Sequence, residues 1–308
     1  MAQSPLSAPS MRRKRKPLDL IRIKSLIVLV AGVFTALGGA FTGLGAQVAF
    51  APMLTWMLGF GAEKAQATAL RFAAFASVSA VFGAYASYQL GSRQTMAAQM
   101  STEFSSERFW PWGLMGSGVL LFLGATVGAI LTARFTPDVD QLGKKRFFQT
   151  LGVAFSLFVI AESRLLVLSG GTHYALWHGF PSISWLALIL LGMAAGGLTQ
   201  ILGLSSGVLM VPALYFAAGF TAVQATSLSL FVIVLASLLP AWSYSKRGLV
   251  DTTYSSAAAI GGIFGGLAGG LLIGHLSSLV IMTLFGGITM FLSARELARI
   301  ASEKPAPQ

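Results

Sequence analysis

Cysteine is absent from this 308-residue chain, and charge is scarce: 10% of residues are charged, against 55% hydrophobic. Without a thiol there is no disulfide framework, no thiolate metal site and no cysteine nucleophile. A water-soluble domain carries roughly a quarter charged residues, so a chain with less than half of that cannot clothe a soluble surface. The mean hydropathy of +0.75 agrees. The three histidines, His173, His178 and His275, sit at segment ends without the company a metal site needs, so neither metal nor cofactor is expected. G-x-x-x-x-G-K-[ST] is missing, which excludes direct use of ATP, and so is H-E-x-x-H. Apart from Arg71 the apolar stretches offer only small hydroxyl residues, so no enzyme is expected.

What remains is an all-α integral membrane protein. Apolar runs of the roughly 20 residues needed to cross a bilayer fall near 24–42, 64–90, 110–133, 147–169, 181–202, 221–245, 253–275 and 278–300, eight in all. Two shorter runs, 45–60 and 206–220, each hold a proline, Pro52 and Pro212, and follow a glycine-rich break, which marks them as broken or re-entrant segments. The net charge of +11 does not indicate nucleic acid, because five positives form one run, Arg12 to Lys16, beside the first apolar segment. Residues 1–23 read as a basic cytoplasmic tail, 24–169 as a first membrane repeat, 170–180 as an outer linker, 181–300 as a second repeat and 301–308 as a C-terminal tail.

The repeats show in the residues. Gly43-Leu44-Gly45-Ala46-Gln47-Val48-Ala49-Phe50-Ala51-Pro52 aligns without a gap on Gly203-Leu204-Ser205-Ser206-Gly207-Val208-Leu209-Met210-Val211-Pro212. After a two-residue slip, Gln66-Ala67-Thr68-Ala69-Leu70 matches Gln224-Ala225-Thr226-Ser227-Leu228. Gly124 and Gly128 answer Gly265 and Gly269. Each copy contains an odd number of crossings, so the second is inverted relative to the first, an arrangement common among secondary transporters. With the basic tail inside, Arg134, Lys144 to Arg146, Lys246, Arg247, Arg299 and Lys304 also fall inside, which satisfies the positive-inside rule and places both termini in the cytoplasm.

Irregular backbone at membrane depth is tolerated only where it is buried in protein or lines a cavity. The breaks are therefore the candidate substrate walls, Gly43, Gly45 and Gln47 in the first copy and Gly203, Ser205, Ser206 and Gly207 in the second, with Thr42, Thr199 and Gln200 nearby. Short helices starting there would aim N–H groups and positive dipole ends at an anion; close helix packing is the competing use of the same small residues. Thr68, Thr226 and Ser227 follow each break. Arg71 lies about nine residues into an apolar helix, roughly 13 Å along its axis, where a guanidinium requires water, a counter-charge or an anionic ligand. Glu162 or backbone carbonyls are the alternative partners. The ladder Gly261, Gly265, Gly269, with Gly262, Gly266 and Gly270 beside it, is a packing device with two small-residue faces.

The duplicated pattern of glycine-rich turn, short apolar run, Pro-x-Leu and Ala-Thr-Ser-Leu, carried by Gly203 to Leu214 with Gln224 to Leu228 and by Gly43 to Leu54 with Gln66 to Leu70, resembles the TauE/SafE family of sulfite exporters. The turns here read Gly45-Ala46-Gln47 and Ser205-Ser206-Gly207 where the family often has three glycines. The resemblance implies a permease of a bacterial-type inner membrane for sulfite, organosulfonates or related sulfur-containing or carboxylate anions, driven by an ion gradient. The partners so implied are a small anion, the bilayer, a coupling ion (proton or sodium) and a second copy of the chain. An anion channel and a non-transporting membrane scaffold are the alternatives.

Overall fold

A computed structural model describes residues 17–91, 112–135, 141–168, 184–202, 206–217 and 220–302. Among them there is no strand; the chain is a bundle of helices. Helix α1 is Pro17–Thr42, α2 Gln47–Leu58, α3 Ala62–Gly91, α4 Trp112–Phe135 and α5 Gln141–Leu168. The second set is α6 Ser184–Leu202, α7 Gly207–Pro212 continuing into a π-helical turn Ala213–Ala217, α8 Ala222–Lys246, α9 Thr252–Ile273 and α10 Ser278–Ser302. Over their described lengths Arg22–Thr42, Ala62–Ser87, Ala222–Lys246, Thr252–Ile273 and Ser278–Arg299 are long and apolar enough to cross a membrane, and shorter apolar pieces lie between them. The tail expected over residues 1–23 gives way to helix earlier: α1 begins at Pro17, whose fixed φ and missing N–H suit a first helical position.

Local chemistry explains the breaks. Gly43 and Gly45 both take left-handed backbone, φ 67° and 78°, which ends α1 as an αL cap does. The Gly43 N–H donates to the Gly39 carbonyl, and the Thr42 hydroxyl donates to Gly38 at 2.8 Å. Helix α2 ends at Gly59 (φ 68°), whose N–H donates to Thr55. Pro52 sits within α2, and Pro212 closes the α-helical part of α7, after which the backbone passes into the π turn. A proline removes one N–H from the helical ladder, and both copies use it within a segment too short to span.

Helix directions follow from glycine contacts. A Cβ on Gly261 or Gly265 of α9 would overlap the carbonyls of Leu29 and Val33 on α1, and one on Gly269 would press on Ala40, so residue numbers rise together and α1 and α9 are parallel. The adjacent face, Gly262, Gly266 and Gly270, packs with Phe72, Ala76 and Ala80 of α3, again in parallel. In the other copy Gly124 and Gly128 of α4 seat against Ile189 and Met193 of α6, also parallel, while Gly152 meets Ser293 and Gly286 meets Ile160 in an antiparallel α5–α10 pair. Since α3 runs parallel to α1, the twelve-residue α2, about 18 Å long, returns toward the end where α1 begins.

The fourth helix of each copy is exchanged. Helix α9, from the second half, packs on α1 and α3 of the first, and α4, from the first half, packs on α6 and α8 of the second. The bundles are therefore α1–α2–α3–α9 and α4–α6–α7–α8, each drawn from both sequence halves. Glycine makes this possible, because helices meeting at Gly-to-carbonyl distance leave no room for a Cβ.

Candidate functional site

The two breaks meet. The Ser229 hydroxyl on α8 donates to the Gly43 carbonyl at 2.7 Å, both groups buried. Gly207, first residue of α7, lies so close that an added Cβ would overlap the Gly43 carbonyl oxygen and reach 2.9 Å from Ser229 Oγ. A Cβ on Gly43 would be 3.0 Å from the Thr226 Cα and 2.8 Å from Val211 Cγ2. The junction thus combines the end of α1, the start of α7 and the first turns of α8. Ser229, the repeat mate of Arg71, joins this group through its bond to Gly43; sequence reading gave it no role, because a serine in an apolar helix carries no signal until a carbonyl is found against it.

Two buried polar atoms in this region have no hydrogen-bond partner among the described residues: Thr226 Oγ1 and Gln47 Oε1. Thr226 is fully buried and Ser227 nearly so. A buried hydroxyl without a partner costs about 1–3 kcal/mol, so these atoms mark a place where a ligand's polar groups would be favoured. The N-cap positions Ala46 and Ser206, before α2 and α7, provide no side-chain cap to the helix starts. Among the described residues the buried polar side chains are serines and threonines, with Tyr215 the one phenol, and none carries a charge. A cation here would find no carboxylate among the described residues; the Thr226 hydroxyl and the helix starts can donate to an anion, while Gln47 Oε1 only accepts and suits a ligand's own N–H or O–H.

Thr68 and Arg71 lie elsewhere. The Thr68 hydroxyl donates to the Lys64 carbonyl at 2.7 Å and accepts from the Asp251 N–H at 3.2 Å, pinning α3 to the start of α9. Asp251 accepts from the Tyr254 N–H as N-cap of α9 and pairs with Lys64 at 3.0 Å. Arg71 is half-buried, and among the described residues no hydrogen bond or ion pair holds it; Glu162 is not its partner. At helical spacing it heads the stripe Phe75, Val78, Phe82, the exposed face of α3, whereas Thr68, Phe72 and Ser79 face α9. Gly45 stays with the turn, and Pro52 and Pro212 lie within α2 and at the end of α7. Gly203 and Ser205, and the side chains of Thr199 and Gln200, lie outside the described residues.

Gly203-Leu204-Ser205-Ser206-Gly207 spells G-x-S-x-G, so the expectation that no nucleophile motif is present does not hold for this spacing. In a nucleophile elbow the serine follows a strand and works with a histidine and an acid. Here the preceding element is helix α6 rather than a strand.

A family model described as Sulfite exporter TauE/SafE matches residues 5–159 and 188–308. Over 162 residues the chain is 29% identical to a "Probable membrane transporter protein" of Xylella fastidiosa (strain 9a5c), an alignment covering 53% of this chain and 60% of that protein. A protein of the same description from strain Temecula1 is 29% identical over 168 residues, with 53% and 60% covered. The chain thus spans about 60% of the length of the curated relatives it matches. No solved structure matches it.

Proposed function

The chain belongs to the sulfite exporter TauE/SafE family, and from that premise we propose that it is a secondary transporter carrying a small anion, such as sulfite, an organosulfonate or a related carboxylate, across a bacterial-type inner membrane by alternating access. The observation that carries this reading is the junction itself: two breaks from inverted copies in contact, with the Thr226 hydroxyl unpartnered and no buried carboxylate among the described residues. In this reading Gly43, Gly45, Ser206, Gly207 and Ser227 form its walls. Both termini are cytoplasmic in this reading. The same reading assigns it no catalysis, and "membrane transporter" in the relatives' names accords with it.

The moving bodies are the mixed bundles rather than the sequence halves, because separating the halves would pull α9 off α1 and α4 off α6. Arg71, on the margin of the exposed face of α3 without a counter-ion, is assigned to anion capture on the approach, not to the junction. A proton or sodium gradient supplies the drive.

The test is uptake of labelled sulfite, taurine and a simple carboxylate into proteoliposomes under an imposed proton or sodium gradient, with Thr226→Val and Gln47→Leu beside the unaltered protein. Saturable, gradient-driven flux that falls at least tenfold in both variants supports the reading. Flux that never saturates and follows only the anion's own gradient indicates a channel, and no flux with any of the three anions returns the chain to a scaffold.

A further inference from the structure

Away from the junction, the outer side of α1 carries an apolar groove of about 380 Å³, lined by Leu26, Ile27, Val30 and Phe34 with Met53 of α2 across from them. Its one hydroxyl, that of Thr35, is already donated to the Ala31 carbonyl at 2.8 Å, so nothing polar is offered inside. From Leu26 to Thr35 the groove runs about 13 Å along the helix, close to half of a ~30 Å hydrocarbon layer. That length fits one leaflet's acyl chains.

The end of the groove nearest the start of α1 is positively charged. Arg22 is one turn before Leu26, and Lys24 stands between them. On α2, Trp56 is one turn beyond Met53 toward the same end, and the Arg295 guanidinium of α10 lies over its ring, 4.4 Å from the centroid. Among the described residues no carboxylate pairs with Arg22, Lys24 or Arg295; the neighbouring Glu296 is bound to Arg299. Of the chain's own preceding residues, Arg12 to Lys16 bring five positive charges against one carboxylate, Asp19, so this end stays positive on balance. Trp56 is 78% exposed, the setting of an indole at a headgroup layer.

We propose that this groove is a binding site for an anionic phospholipid, its acyl chain along Leu26 to Phe34 against Met53 and its phosphate between Arg22 and Arg295. The positive charges fix the class of headgroup, and the apolar length fixes the leaflet as the one on the side where α1 begins. Juxtamembrane basic residues attract anionic lipid in any membrane protein. What is specific here is the shaped groove and the pair of cations contributed by two different helices. A bound lipid would brace α1 against α2 and α10 on the flank of the first break.

The experiment is native mass spectrometry of the full chain in detergent with added dioleoyl phosphatidylglycerol or dioleoyl phosphatidylcholine, which share acyl chains and differ in headgroup charge, together with thermal unfolding in each. The expected result is a one-to-one phosphatidylglycerol adduct and a raised Tm, with phosphatidylcholine bound at least tenfold more weakly. The double variant Arg22→Gln/Arg295→Gln should lose the adduct tenfold while eluting as the same monodisperse species. Met53→Trp, which fills the groove without touching charge, should lose it too. Equal binding of the two lipids, or an adduct that survives both variants, overturns the proposal. So does a disulfide-linked dimer formed through Phe34→Cys in this cysteine-free background, which would show that a second copy covers the face. Transport is not read, so the outcome is separate from that of the anion reading.

Discussion

Replacing Gly207 by alanine probes whether the two breaks are in contact. The new methyl would overlap the Gly43 carbonyl oxygen and stand 2.9 Å from Ser229 Oγ, inside the 3.0 Å that real Cβ atoms respect. Neither obstacle is the far end of a flexible side chain: one is backbone at the end of α1 and the other is a hydroxyl held to that backbone at 2.7 Å. Overpacking of this kind costs about 1–3 kcal/mol, and disturbing the Ser229–Gly43 bond adds about 1 kcal/mol. Alanine's better helix propensity returns at most about 1 kcal/mol, less at a first helical position. The net destabilisation is about 1–4 kcal/mol, or a fall in Tm of roughly 2–12 °C at ~2–3 °C per kcal/mol. The control is Gly38→Ala, where an added Cβ meets nothing within 4 Å and stability should hold or rise. The assay is thermal unfolding of both variants in one detergent, followed by intrinsic fluorescence. Equal Tm values for Gly207→Ala and Gly38→Ala would refute the reasoning, because the contact it rests on would not exist.

Four further outcomes follow from the same geometry. Ser229→Ala leaves the buried Gly43 carbonyl without its hydroxyl donor and should lower stability by about 1–2 kcal/mol, measured by chemical unfolding. Asp251→Ala removes the N-cap of α9 and should cost about 1 kcal/mol, whereas Asp251→Asn, which keeps the cap and loses only the exposed Lys64 pair, should retain most of the stability; similar losses in both would shift the weight to the ion pair. Arg71→Gln should raise the KM for transported anion at least fivefold with maximal flux within twofold, and an unchanged KM would reduce Arg71 to a snorkelling residue. Single cysteines at Gly61 and Arg247 should be shielded from an impermeant maleimide in intact cells and one at His275 labelled, since the turns before α3 and α9 lie at one end of the bundle and that before α10 at the other; labelling of Gly61 and His275 from the same side would break the assigned topology.

The residues themselves determined a good deal. Apolar length, glycine-rich breaks and matched prolines placed the helices to within about three residues, except that α1 and α5 begin at Pro17 and Gln141, ahead of their apolar runs, because a lipid-facing helix announces itself by composition and its polar extension outside the bilayer does not. The ungapped match of Gly43 to Pro52 on Gly203 to Pro212 made the duplication legible, and parity made it inverted. Three-dimensional packing decided the rest. That α9 crosses to pack on α1 and α3 cannot be read from a glycine ladder, which shows a face ready for close approach but not the helix that will occupy it. Arg71 stood out in sequence because charge in an apolar run is rare, yet its helical phase puts it with Phe75 and Phe82 on the exposed face, while unremarked Ser229 reaches the Gly43 carbonyl. Thr68 and Thr226 occupy equivalent places in the repeat and part in role: one is bound to the Asp251 N–H, the other is left uncommitted beside the junction. A repeat specifies which residues are alike; only tertiary packing, in which each buried hydroxyl either finds a partner or does not, makes them different.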